Sequence, residues 1–326
     1  MRRLIAGILG VLVSVGLALP VSAQEAPATN VKLADIAIDH VGIVVRDIDA
    51  VAKAYAEVFG LPVPAVHDET GIPFPKGFKG DPKASVKTAL FPLNGVTVEL
   101  IQPIGGSSPW RDHLDKHGEG MHHIAYHGLK DAYASASTAI ARGGKVVVGG
   151  PGAKTVMVDL QQQLGMTIGF SELPVHPMAQ APTEATKFGD SRVSYTSVVV
   201  PDIEQSIALF IEITGASAPE VREAKISYPV GYKGDWVGYP MLGMVALKGM
   251  SIAFTAPVGG KSPWQENVDR HGAALHHFGI LIKGHPQQIA FLEGKGGSLV
   301  IGGGTMGYSW MDMSSTLKTL IELNGK

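Results

Sequence analysis

NGVTVELIQPIGGSSPWRDHLDKHGEGMHHIAY, from Asn94 to Tyr126, returns as KGMSIAFTAPVGGKSPWQENVDRHGAALHHFGI, from Lys248 to Ile280, without a gap. Pro103 falls on Pro257, Trp110 on Trp264, and His122-His123 on His276-His277. The match extends upstream. IPFPKGFKGD from Ile72 reappears as ISYPVGYKGD from Ile226, and VVRDIDAVAKAYAEVFG from Val44 as VVPDIEQSIALFIEITG from Val199. Self-similarity over this length means a tandem duplication, so the fold question is one question asked twice. The copies span residues 36–175 and 191–326, with a Pro-, Ala- and Thr-rich linker over 176–190.

Within the first copy the periodicities alternate between strand and helix. IDHVGIVV is β-branched and alternating, the pattern of a strand. Asp47 is placed to cap a helix from Ile48 to Phe59, which Gly60 stops. KTALFPL and VTVELIQP are strands joined at Asn94-Gly95, a hairpin turn signal. Ser108-Pro109 opens a second helix that ends at Gly118, with Ser as cap and Pro at the first position. HHIAYHG reads as a strand, residues 131–142 as a helix, and TVMVDL and MTIGFSEL as the closing strands. The order is β-α-β-β-β, twice in each copy, which is an α+β class.

The chain of 326 residues is 45% hydrophobic and 17% charged, enough for two cores. A formal charge of −2 gives no electrostatic reason to expect nucleic acid or an anionic membrane as partner. Arg2 and Arg3, the apolar run Leu4 to Leu19 and the small residues Val21-Ser22-Ala23 form the pattern of a secretory signal peptide over 1–23. A mature chain of periplasmic or secreted location is expected, with 25 basic against 29 acidic side chains and no membrane association. There is no cysteine, so a metal site must use His, Asp or Glu.

Four residues have that chemistry at regular places. His40 opens the first strand and His123 sits in HHIAYHG, while Glu99 and Glu172 lie in VTVELIQP and MTIGFSEL. A carboxylate inside an apolar strand is costly unless it is paired or binds a metal. Taken singly, each is more often a packed or surface side chain; the regular placement on four strands suggests a ligand set. Imidazole with carboxylate suits Zn, Mn, Co, Ni or Fe. Phe78, Lys79, Tyr232 and Lys233, in the repeated Gly- and Pro-rich segments, are either cavity-mouth contacts or ordinary loop packing.

IDHVGIVVRDIDAVAKAYAEVFGLP, VELIQPIGGSSPW and GEGMHHIAYHG resemble the vicinal oxygen chelate superfamily of glyoxalases, bleomycin resistance proteins and dioxygenases, with methylmalonyl-CoA epimerases most alike. The resemblance implies tandem domains, each a pair of βαβββ modules in a cupped mixed β-barrel. It implies one divalent metal ion on His40, Glu99, His123 and Glu172, with Glu172 or Glu99 as the proton-transferring base. The second copy has Tyr195 and Ala253 where the first has His40 and Glu99, though His277 and Glu322 remain, so a degenerate site is expected there. Some relatives exchange modules, which would combine His40 and Glu99 with His277 and Glu322; the unexchanged set is the preferred expectation. The implied activity is metal-dependent isomerisation, epimerisation or lysis of a small oxygenated substrate, by a monomer or homodimer. Extradiol ring cleavage and non-catalytic binding are the alternatives. CoA thioesters do not suit an exported chain.

Overall fold

The computed structural model describes residues 31–75, 80–176, 188, 191–224, 237–302 and 307–325. The signal-like segment, Phe78, Lys79, Tyr232, Lys233 and most of the linker lie outside them.

The first copy contains strands β1 (His40–Val44), β2 (His67–Glu69), β3 (Ser85–Pro92), β4 (Thr97–Gly105), β5 (Gly120–Tyr126), β6 (Lys145–Val148), β7 (Thr155–Asp159) and β8 (Thr167–Ser171). They form one sheet in the order β2-β3-β4-β1-β5-β8-β7-β6. The second copy repeats this with β9 (Arg192–Val199), β10 (Val221–Glu223), β11 (Tyr239–Ala246), β12 (Ser251–Val258), β13 (Ala274–Ile282), β14 (Ser298–Gly302), β15 (Tyr308–Asp312) and β16 (Leu320–Gly325). Its order, β10-β11-β12-β9-β13-β16-β15-β14, is the same. These are two curled half-barrel sheets of mixed direction. Each βαβββ module supplies four strands. The seam between modules is the antiparallel pair β1·β5 in one copy and β9·β13 in the other. The modules are therefore not exchanged between copies.

The helices are α1 (Ile48–Phe59), α2 (Pro109–Lys116), α3 (Ala132–Ser135), α4 (Ser137–Ala141), α5 (Gln161–Leu164), α6 (Ile203–Thr214), α7 (Pro263–His271) and α8 (His285–Glu293). The caps read from sequence operate. Asp47 accepts from Ala50 N, and Gly60 closes α1 at φ 66°. Ser108 accepts from Arg111 N with Pro109 behind it. Through these caps α1 presents Val51, Ala52, Tyr55 and Phe59 to the sheet. The single helix expected over 131–142 is instead the pair α3 and α4, broken at Ala136. Ser135 Oγ donates to Asp131 O, a local bond that competes with regular helix geometry.

The copies share one core and several cross-copy hydrogen bonds, among them Leu275 N to Gly165 O at 3.0 Å and Val193 N to Asn94 O at 2.8 Å. Tyr55, 1% exposed, donates its hydroxyl to Leu317 O at 3.1 Å across this contact. Tyr55→Phe leaves that carbonyl unpartnered inside the core, so a loss of about 1–3 kcal/mol is expected in denaturant unfolding.

Candidate metal centre

The site lies at the module seam of the first sheet. Gly42 of β1 registers with Glu99 of β4 on one side and His123 of β5 on the other. His40, two residues earlier, shares the face of Gly42. The register between β1 and β5 slips next to Gly42, leaving His122 as an extra residue in β5. That bulge turns two successive imidazoles together: His122 Nδ1 and His123 Nδ1 are 3.1 Å apart. Gly42 makes the geometry possible, because a Cβ there would lie 2.0 Å from His123 Cε1.

Three donor atoms converge in front of Gly42. His40 Nε2 is 3.2 Å from His123 Nε2, and Glu99 Oε2 is 3.4 Å from each. Burial pushes the Glu99 carboxyl up, but the charge of His40 and the hydrogen bond with His123 outweigh it and hold it at about 2. Burial also lowers the pKa of His123, keeping its imidazole neutral, the form that binds metals.

Asp39 fixes His40 from behind. Its side chain is fully buried, and its Oδ2 accepts from His40 Nδ1 at 2.8 Å and from His176 Nδ1 at 2.6 Å. The backbone N–H of His176 donates to Oδ1 at 2.7 Å. Burial opposes ionisation of Asp39, yet these bonds carry its pKa below the usual carboxylate range, and the Asp39 bond raises that of His176. Asp39, His40 and His176 also lie close enough to share an ion. Their spacing is that of ordinary charge-assisted hydrogen bonds, so this group is a closed network that leaves Nε2 of His40 facing Glu99. A carboxylate behind a ligating histidine fixes its tautomer and its aim. Asp39→Asn is accordingly expected to weaken divalent-metal affinity about 10–100-fold without unfolding the chain, measured by competition with a chromogenic chelator.

Of the four ligands expected from sequence, the fold brings together His40, Glu99 and His123 but not Glu172. The register of β8 explains the correction. Thr167 pairs with His123 and Gly169 with Ala125, whereas in the second copy Glu322 pairs with Gly279. Gly169 is thus the counterpart of Glu322. Glu172 lies beyond the end of β8, exposed, and accepts from Ala132 N at the start of α3. Its carboxylate is turned to the start of α3 and is not among the three donors that converge.

Glu69 of β2 is a site residue that the sequence reading missed. Thr88 Oγ1 of β3 donates to its Oε1 at 2.9 Å. Glu69 is exposed; partial desolvation and then the charge of Glu99 raise its pKa, and it is not one of the three converging donors. Asp39 and His176 were missed as well. The Asp39-His40 dipeptide was the available signal, while His176 had none, lying past the last strand.

In the second copy, Tyr195 and Ala253 stand at the positions of His40 and Glu99. Glu322 Oε2 accepts from His277 Nε2 at 3.1 Å and from Trp310 Nε1 at 2.8 Å. Among the described residues, no three metal-class side chains converge there.

Residues 39–158 match the model of the Glyoxalase/Bleomycin resistance protein/Dioxygenase superfamily, and the domain they build belongs to it. Among curated proteins, the chain is 35% identical over 89 residues to the uncharacterized protein YqjC of Bacillus subtilis, a stretch that covers 27% of this chain and 55% of that protein. It is 32% identical over 90 residues to an ethylmalonyl-CoA/methylmalonyl-CoA epimerase of Cereibacter sphaeroides, covering 27% of this chain and 58% of that one. The chain thus spans little more than half the length of the curated relatives it matches. Among solved structures, a mutant 4-hydroxymandelate synthase from Streptomyces coelicolor aligns at TM-score 0.58 and 14% identity, over 89% of this chain and 92% of that one. A xylose isomerase-like TIM barrel/4-hydroxyphenylpyruvate dioxygenase fusion protein aligns at TM-score 0.51 and 10% identity, over 89% and 49%. These two likenesses establish the two-domain fold.

Proposed function

We propose that the chain is an exported, divalent-metal-dependent enzyme that moves a proton next to a carbonyl of a small oxygenated substrate, as an isomerase, epimerase or lyase. His40, Glu99 and His123 would hold the ion, one of Zn, Mn, Co, Ni or Fe. Bound there, a divalent ion supplies Lewis acidity to a carbonyl oxygen and so acidifies the adjacent C–H. The chain's own residues do the rest. Asp39 and His122 hold the two imidazoles in orientation. Glu99 stays ionised. Glu69 takes the proton and returns it.

The observation that carries this reading is the place of Glu69, an exposed carboxylate on β2 that is held by Thr88 Oγ1 at 2.9 Å, stands outside the ligand trio, and has its proton affinity raised by partial desolvation and by the charge of Glu99. A general base works best when its pKa is drawn toward the working pH. The epimerase among the relatives, by its name, acts on CoA esters. The signal-like segment over 1–23 argues for a different, CoA-free substrate here. One specific observation favours a second reading: two histidines and one carboxylate are also the donors of non-haem Fe(II) oxygenases.

The test is to incubate metal-loaded protein with hydroxy-ketones and aromatic metabolites in deuterated water. Deuterium is expected at the carbon beside a carbonyl, only with metal present. Glu69→Gln is expected to slow the exchange about 10²–10⁴-fold while metal content stays unchanged. Turnover that consumes oxygen without exchange would overturn the proposal in favour of the oxygenase reading.

A further inference from the structure

The second copy has lost its carboxylate on β12 but kept a cavity. A space of about 220 Å³ opens in front of its sheet, lined by Leu242, Met244, Ala253, Trp264 and Trp310 on its apolar side. Its polar corner holds Tyr195, His277 and Glu322. That corner is internally satisfied. Glu322 takes hydrogen bonds from His277, Trp310 and Tyr195, and Asn324 Nδ2 donates to Tyr195 Oη at 3.3 Å. The remaining ring nitrogen, His277 Nδ1, lies 2.9 Å from His276 Nδ1.

Two other polar groups lining the same cavity are not satisfied. Ser197 is 0% exposed and Trp264 1%, and among the described residues neither Ser197 Oγ nor Trp264 Nε1 has a hydrogen-bond partner. A buried donor left unpaired costs about 1–3 kcal/mol, and native structures rarely leave one without a reason. Ser197 is also informative by position. It stands between Ala253 and His277 as Gly42 stands between Glu99 and His123. At the centre of the sheet the first copy pairs glycine with a carboxylate, while the second pairs a hydroxyl with a methyl. The exchange removes a metal donor and adds a neutral hydrogen-bond donor at one spot.

We infer that the second copy is a metal-independent binding site for a neutral, single-ring organic molecule bearing one hydrogen-bond acceptor, such as a ketone, whose oxygen is received by Ser197 and Trp264. The size agrees, since an apolar cavity of about 150 Å³ already admits benzene. The charge agrees too. Glu322 stays ionised because its three donors outweigh the burial that opposes charge, so an anionic ligand is repelled. An ammonium ligand offers nothing for the indole N–H to donate to.

Acetophenone is the probe, titrated into the full chain by calorimetry with ¹⁵N-tryptophan spectra recorded in parallel. Ethylbenzene matches its shape without the oxygen, and benzoate and benzylamine supply the two charges. One equivalent of acetophenone is expected to bind, at least about tenfold tighter than the other three, and to shift the Trp264 indole resonance. A chelator should change nothing, which separates this site from the metal centre of the first copy. Ser197→Ala should erase the preference over ethylbenzene while ethylbenzene still binds. Ala253→Leu, which fills the space where the first copy carries the larger Glu99, should abolish binding of both. Equal affinity for acetophenone and ethylbenzene in the native chain, an unmoved Trp264 resonance, or full binding in Ala253→Leu would overturn the inference.

Discussion

Glu99→Ala protein is expected to emerge from dialysis nearly free of divalent metal, while Glu172→Ala protein carries as much as the native chain. Glu99 Oε2 stands 3.4 Å from both His40 Nε2 and His123 Nε2, and it is the only anionic donor of the trio. Losing it leaves two neutral imidazoles, so the affinity should fall by more than the roughly 10–100-fold expected for an outer partner such as Asp39. The fold should survive, because alanine removes charge from a half-buried strand position without opening the core. The Glu172 side chain is exposed and accepts from Ala132 N at the start of α3, so its loss should leave metal content unchanged. Elemental analysis, with circular dichroism as the folding control, gives the answer. Native metal content in Glu99→Ala would refute the site, and loss of metal in Glu172→Ala would restore the four-ligand set expected from sequence. The same substitution also removes the charge that helps raise the pKa of Glu69, so the proton affinity of that carboxylate should fall toward its ordinary value.

The two Glu mutants also mark where the sequence was legible. The repeat revealed the double βαβββ architecture, because helix caps and strand alternation agree in both copies at Asp47 and Asp202, Ser108 and Ser262. His40, Glu99 and His123 were legible because each interrupts or opens an apolar strand. Glu172 was misread because Ser171-Glu172-Leu173 looks like Ile321-Glu322-Leu323. The dipeptide match lies three residues out of the true register, where Gly169 faces Glu322's position. Register depends on pairing with β5, and no local pattern encodes it. Asp39 was hidden by the alternation rule itself, which assigns neighbours to opposite faces. It lies just before β1, where that rule does not hold, and so reaches His40 Nδ1. His67, Asp68 and Glu69 carry no apolar alternation, so β2 and its base were invisible.

Gly42→Ala is expected to remove metal binding as completely as losing a ligand, although Gly42 donates nothing. Its backbone is not in the left-handed region, so alanine is conformationally acceptable there. The obstacle is contact. The new Cβ would lie 2.0 Å from Cε1 and 2.3 Å from Nδ1 of His123. Either β1 separates from β5 or the imidazole swings away. The first breaks the central pair of an eight-stranded sheet, whereas the second gives up the contacts of His123 Nε2 with His40 and Glu99 and adds some overpacking strain, each about 1–3 kcal/mol. The ring should therefore move. The second copy displays such an arrangement, since it carries Ser197 at this place and its His277 leans on Trp310, with ring centroids 4.5 Å apart, keeps Nδ1 on His276 and turns Nε2 to Glu322. Gly42→Ala protein should accordingly fold, melt a few degrees lower, and bind divalent metal at least about a hundredfold more weakly. Native affinity in a well-folded Gly42→Ala chain would mean that His123 is not held where the ion sits, and the ligand trio would have to be abandoned.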